Sequence, residues 1–314
     1  MSFSFSDFAA ALKAGARLSA DDVLAVRRAI WPDGKVSDAE AEAVFELNRL
    51  ACDPAPEWGD FLIEAMTDYV VNARAPRGYV DEANAAWLID QVDRGGGLVT
   101  ALELELVVKL LESALNCPAS LKAWALRQIE QSVLNGEGPT RRDGPVRPGV
   151  VDEAEVKLLR RIVFAAGGDG ALVVSQDEAE LLWRLKDACL HADNAPGWKT
   201  LFVQAVGNHL MAYPSYTPLE RGAAARLEAF VADHRSSVLG FFARMRQADP
   251  AGEARRLLAE RDRPAPDHDA AVAAAEAITP SEGQWLQSHI DADGARDDYE
   301  EALLAFVAGE SGQP

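Results

Sequence analysis

Cysteine is scarce in this chain. Cys52, Cys117 and Cys189 are its three thiols in 314 residues; they form no metal-binding spacing, and their odd number fits a reducing compartment better than a disulfide framework. No run approaches the roughly 18 consecutive apolar residues of a membrane span. The opening Met1-Ser2-Phe3-Ser4-Phe5-Ser6-Asp7 has neither a basic nor a long apolar stretch, so we expect no secretory leader and a cytoplasmic protein. Basic charge is also short, with 31 Lys and Arg against 50 Asp and Glu and a net charge of −19. A general nucleic-acid binder needs a basic face to displace counterions from phosphate, so that class is disfavoured.

Familiar catalytic patterns are missing as well. His191, His209, His234, His268 and His289 make no His-x-x-x-His or His-Glu-x-x-His pair, which argues against a zinc hydrolase. Gly95-Gly96-Gly97 and Gly167-Gly168-Asp169-Gly170 follow no strand and carry no P-loop lysine. The serines lack a nucleophile-elbow context. We therefore expect a protein that is not an enzyme.

What the chain does have is an internal repeat. Asp33-Gly34-Lys35-Val36-Ser37-Asp38-Ala39-Glu40 is echoed near 96–105, 169–180 and 293–301. Each copy is a glycine turn, a Ser, Thr or Asp, and a Glu three residues on, followed by helical apolar spacing. Upstream, Leu18-Ser19, Val80-Asp81, Val151-Asp152 and Ile278-Thr279 each put an apolar residue before a capping residue. Downstream, Trp58, Phe61, Leu62, Ala65, Met66, Tyr69 and Val70 make one amphipathic stripe. Trp198, Leu201, Phe202, Ala205, Val206, His209 and Leu210 repeat it, and Leu121, Trp124, Ala125, Ile129 and Val133 repeat it in part. Pro56, Pro118 and Pro196 sit just ahead, where proline suits a helix start. The pattern predicts an all-α fold of tandem three-helix units in two pseudo-two-fold halves, the fourth unit lacking its third helix. Cys52 and Cys189 fall at nearly matching places and read as small buried groups.

Two stretches interrupt the pattern. Residues 135–150 are rich in Gly, Pro and Arg and read as a linker between an N-terminal half, 1–134, and a C-terminal half, 151–314. A longer insert, about 213–277, carries nine arginines and seven acids between Pro214 and Pro266, a net of +2 against an acidic background. Within it Phe241, Phe242 and Met245 alternate with Arg235, Arg244 and Arg246. That arrangement is a candidate docking surface for a protein partner or, peripherally, an anionic membrane. The alternative is a helix packed over the units with its arginines in solvent.

The acidic turns admit two readings. Asp-Gly, an apolar residue, a hydroxyl residue and Glu form the back half of an EF-hand loop. The last turn keeps most oxygen ligands, with Asp291, Asp293, Asp297 and Glu300 at loop positions three, five, nine and twelve; the first retains Asp33, Ser37 and Glu40. These are candidate Ca²⁺ or Mg²⁺ ligands. The same spacing is a capping box, in which the Glu reaches back to the cap residue's N–H and no metal is needed. Ile30-Trp31-Pro32-Asp33-Gly34-Lys35-Val36-Ser37-Asp38-Ala39-Glu40, with the next helix and a prolyl entry to the third, resembles the tellurite-resistance TerB family over about forty residues. The resemblance implies a helical fold with acidic turns able to hold metal and a role in stress-response or membrane-associated complexes. Three functions stand at this point: a binding or scaffold module, a divalent-cation sensor using the last turn, and a hydrolase with an unrecognised acidic site.

Overall fold

The computed structural model describes residues 4–31, 35–73, 76–94, 99–141, 147–165, 167, 173–211, 280–292 and 296–310. Among these the chain forms twelve α-helices and no strand beyond an isolated bridge between Tyr79 and Asn116. The helices are α1 (Phe5–Lys13), α2 (Ala20–Ile30), α3 (Asp38–Leu50), α4 (Glu57–Thr67), α5 (Glu82–Asp93), α6 (Ala101–Ser113), α7 (Ala119–Asn135), α8 (Glu153–Val163), α9 (Gln176–Cys189), α10 (Gly197–Met211), α11 (Pro280–Ile290) and α12 (Asp298–Glu310). A π-helical turn, Asp68–Asn72, prolongs α4.

Local chemistry sets the helix starts. Reciprocal capping boxes open α2 (Ser19 and Asp22), α3 (Ser37 and Glu40), α6 (Thr100 and Glu103), α8 (Asp152 and Glu155) and α9 (Ser175 and Glu178). Each cap contributes about 1 kcal/mol by satisfying N–H groups that the first turn leaves without partners. Pro56 and Pro118 stand at the starts of α4 and α7 instead.

The stripes seen in the sequence form the core. Trp58, Phe61, Leu62, Ala65 and Met66 of α4 are buried, as are Leu121, Trp124, Ala125 and Ile129 of α7 and Trp198, Leu201, Phe202 and Ala205 of α10. Burying a large apolar side chain is worth about 1.5–3 kcal/mol, so these three helices supply much of the drive to fold. Each lies against the two helices before it: α4 on α2 and α3, α7 on α5 and α6, α10 on α8 and α9. Each also reaches forward, α4 onto α6, α7 onto α9 and α10 onto α12.

One sequence expectation needs correction. Cys52 is exposed whereas Cys189 is buried. The reason is helix length: α3 ends at Leu50 and the backbone turns extended at Ala51, while α9 continues through Cys189. Burial pushes the Cys189 thiol up to about 11 and the Cys117 thiol up to about 12, so neither is a nucleophile at neutral pH. The expected linker, residues 135–150, makes hydrogen bonds at its described ends. Gly136 closes α7 in a left-handed cap, and the Gly149 N–H donates to the Val133 carbonyl at 2.8 Å. Gly138, at φ +145°, leaves no room for a Cβ beside the Ser132 hydroxyl. The insert expected at about 213–277 lies outside the described residues.

The strongest tie is Arg141. Its Nε donates to Glu155 Oε1 at 2.8 Å and its Nη2 to Oε2 at 2.7 Å, with both side chains nearly removed from solvent. Thr140 and the Asp152 N–H donate to the same carboxylate. Removing one partner of a buried pair leaves an uncompensated charge. Arg141→Ala is therefore expected to lower the unfolding free energy by about 3–5 kcal/mol in urea titration, and Arg141→Leu combined with Glu155→Met to recover most of it.

Candidate functional site

The acidic turns of the sequence are helix caps in the structure. At α3 the Glu40 Oε2 accepts from the Ser37 N–H at 2.8 Å and from its hydroxyl at 2.7 Å. Asp33 lies outside the described residues. Before α12, the Asp297 Oδ1 accepts from the Glu300 N–H at 2.9 Å, and the Glu300 Oε2 accepts from the Asp297 N–H at 3.2 Å. Asp291 follows the last residue of α11, is exposed, and accepts from Gln287 at 2.8 Å. Asp293 lies outside the described residues, as do Arg235, Phe241, Phe242, Arg244, Met245 and Arg246.

Of the candidate ligands the structure therefore gathers Asp297 and Glu300, and adds Asp187 of α9. Carboxylate oxygens of these three fall within 4.8 Å of one another. A cation already stands among them, the Lys186 ammonium, at 2.6 Å from Asp297, 2.8 Å from Glu300 and 2.7 Å from Asp187. Lys186 is 1% exposed and lies 5.0 Å from the Trp183 ring centre. Burial alone would depress its ammonium pKa, yet hydrogen bonds to three carboxylates outweigh burial and hold it above the usual lysine range. Asp297 responds in the opposite sense. Burial raises its carboxyl, but Lys186 and two backbone N–H groups bring it below the ordinary value.

This cluster is one of a series. At Glu103, Glu178 and Glu300 the capping Oε2 serves the residue's own helix while Oε1 faces a polar group from elsewhere; at Glu155 both oxygens also take Arg141. Glu103 Oε2 accepts from the Thr100 N–H, and its Oε1 accepts from Asn48 of α3 at 3.2 Å. Glu178 Oε2 accepts from the Ser175 N–H, and its Oε1 lies 2.5 Å from the Lys122 ammonium of α7, an ion-pair contact without hydrogen-bond geometry, the ammonium donating instead to the Val163 carbonyl at 3.0 Å. Glu300 Oε1 accepts from Lys186 of α9 at 2.8 Å. Carboxylates buried in this way carry a large desolvation cost that only close donors offset.

Asn48 and Lys186 stand at the same position relative to their caps, Ser37 and Ser175, yet their chemistry differs. Asn48 also accepts, taking the Trp58 indole N–H at 3.0 Å. Lysine has no acceptor atom, and the corresponding indole N–H of Trp198 is buried without a partner.

Sequence reasoning missed Lys186, Asp187, Lys122 and Asn48. For the two lysines a signal was present. Lys186 lies on the stripe Leu182, Leu185, Lys186, Cys189, and Lys122 on Lys122, Ala125, Leu126, Ile129, where apolar side chains are the rule. A lysine on a buried stripe calls for a buried carboxylate.

Lys186→Met leaves Asp297 and Glu300 facing each other without a cation, and the expected loss is about 3–5 kcal/mol in chemical unfolding. Lys186→Asn reproduces the arrangement at Asn48, and by giving Trp198 an acceptor it is expected to be the milder change by about 1 kcal/mol. No family model matches this chain, and neither a curated protein nor a solved structure matches it.

Proposed function

We propose that this chain is a non-enzymatic binding or scaffold protein, built from four helical repeat units arranged as two related halves. The observation that carries the reading is the use made of buried charge. Catalytic sites hold buried ionisable groups poised toward a cleft. Here each buried carboxylate and ammonium among the described residues is already paired within the fold: Glu103 with Asn48, Glu155 with Arg141 of the preceding loop, Glu300 with Lys186, and Glu178 with Lys122 at the wall of a cavity of about 440 Å³. Such a stack presents a rigid surface and leaves recognition to what it displays.

Matched contacts support the two related halves. Phe45 meets Trp87 edge to face at 5.7 Å, and Trp183 meets Trp285 in the same way at 5.7 Å. Tyr69 and His209, the matching residues of the third helices, each lie 5.2 Å from those tryptophans, Trp87 and Trp285. The likeness of residues 30–40 to the TerB family supports placing the protein in a stress-response complex in the cytoplasm. The docking element in this reading is the basic, apolar segment containing Arg235, Phe241, Phe242, Arg244, Met245 and Arg246, which recognises an acidic protein surface. Capture on the immobilised full chain tests it. Phe241→Ser and Phe242→Ser together with Arg244→Glu and Arg246→Glu are expected to abolish retention of a stoichiometric partner, and an unchanged set of retained proteins would overturn the reading.

A divalent-cation sensor is the second reading, favoured by the three clustered carboxylates of Asp187, Asp297 and Glu300. An entering Ca²⁺ must displace the Lys186 ammonium. The scaffold reading therefore expects no saturable heat up to millimolar Ca²⁺ in calorimetry and no chelator effect on Tm. A saturable heat that disappears in Asp293→Ala would establish the sensor instead.

A further inference from the structure

The first helix, α1, has no place in a frame where each unit ends with its long apolar helix. It packs on α3, and its position there matches what the long helices do further along. The same position of each partner helix, counted from the cap, marks the contact. In α12 this is Phe306, against Gly207 of α10, where an added Cβ would come within 2.5 Å of the ring. In α9 it is Arg184, which pairs with Glu130 of α7 at 2.9 Å. In α6 it is Lys109, which lines one hollow with Thr67 and Asp68 at the end of α4. In α3 it is Glu46, which pairs with Lys13 of α1 at 3.0 Å.

The sequence of α1 agrees. Phe5, Phe8, Ala9 and Leu12 repeat the spacing of Trp58, Phe61, Leu62 and Ala65, and all four lie in or against the core. Counted from α1, the twelve helices of the described residues fall into four triplets, α1–α3, α4–α6, α7–α9 and α10–α12. The helix that the fourth unit lacked is the first helix of the chain.

Its hold is weaker than that of its counterparts. Only Ala9 and Leu12 of α1 are buried, against five side chains of α4. Its ion pair to Glu46 and the Arg17–Asp53 pair beyond it are largely exposed, where solvent screens such pairs. Gly15, at φ +91° and with open space around it, lies in the short connection from α1 to α2. An isolated helix shorter than roughly 12–15 residues is marginal in water, so once released α1 unwinds.

We propose that α1 is a detachable plug, and that the face of α3 beneath it is an acceptor groove for one amphipathic helix of a partner protein. That partner helix carries apolar residues at i, i+3, i+4 and i+7 and a basic residue at i+8, matching Phe5, Phe8, Ala9, Leu12 and Lys13 against Glu46. The mode is helix-in-groove recognition, with α1 as an internal competitor at high effective concentration. The inference rests on the repeat reading above and uses a surface separate from the basic insert.

The probe is a fluorescent peptide of residues 4–17, titrated by anisotropy into the full chain carrying Phe8→Asp and Leu12→Asp, which ejects α1. Saturable binding is expected, at least tenfold tighter than to the wild-type chain. Glu46→Lys in the chain is expected to weaken it severalfold, and Lys13→Glu in the peptide to restore it. No binding by a variant that still melts cooperatively would overturn the proposal, as would a stable dimer that fills the groove with a second copy. Should that variant not fold, excess peptide on the wild-type chain decides. Binding there, lost when Lys13→Cys and Glu46→Cys are cross-linked in a Cys52→Ser background, supports the proposal, and no binding overturns it. The cross-link forms if α1 sits on α3 whether or not the helices are repeats, so the two readings fail separately.

Discussion

A glutamate has two carboxylate oxygens, and this fold depends on using them differently. One closes the first turn of the residue's own helix. The other faces away from that helix and takes a proton donor from a helix elsewhere in the stack. Helix initiation and helix packing are thereby coupled through a single side chain at Glu103, Glu178 and Glu300. Loss of the outward donor leaves a buried charge, and loss of the inward one leaves helix N–H groups unsatisfied. Neither half is dispensable without the other, which makes the junctions rigid rather than merely sticky.

The acid excess of the chain takes on a different meaning in this light. A formal charge of −19 promotes solubility and self-repulsion. Part of it is nevertheless internal and neutralised in place, by Lys122, Arg141 and Lys186. Arg161 does the same work nearer the surface, reaching both Glu105 and Glu112 at 2.7 Å. Its hydrogen bond holds the Glu112 carboxyl below the ordinary range. The effective repulsion between helices is smaller than the composition implies.

Much of the helical architecture was legible because local rules govern it. The Ser37, Thr100 and Ser175 caps each stand three residues before a Glu, and the Trp58 and Trp198 stripes have a helical period. These features require only neighbours in sequence. The junctions do not. Nothing adjacent to Lys186 announces that its ammonium meets residues more than a hundred positions away, and the caps alone gave no sign that their glutamates face a second donor. Cys52 was misplaced because α3 stops one residue short of the length of α9 and Cys52 lies beyond its end, and helix ends are the least regular part of any pattern. α1 escaped notice because a nine-residue helix with two buried side chains gives a weak periodic signal.

The glutamate junctions also give the stack a direction. In each, the carboxylate belongs to the later helix in the chain and the donor to an earlier one: Asn48 before Glu103, Lys122 before Glu178, Lys186 before Glu300. The contact is directional, the donor standing on the earlier helix of each pair. Glu40, by contrast, closes only its own helix turn among the described residues. Donor and carboxylate are carried by different helices, so a rearranged chain keeps these contacts only where each capping Glu still lies beside a helix that supplies a donor.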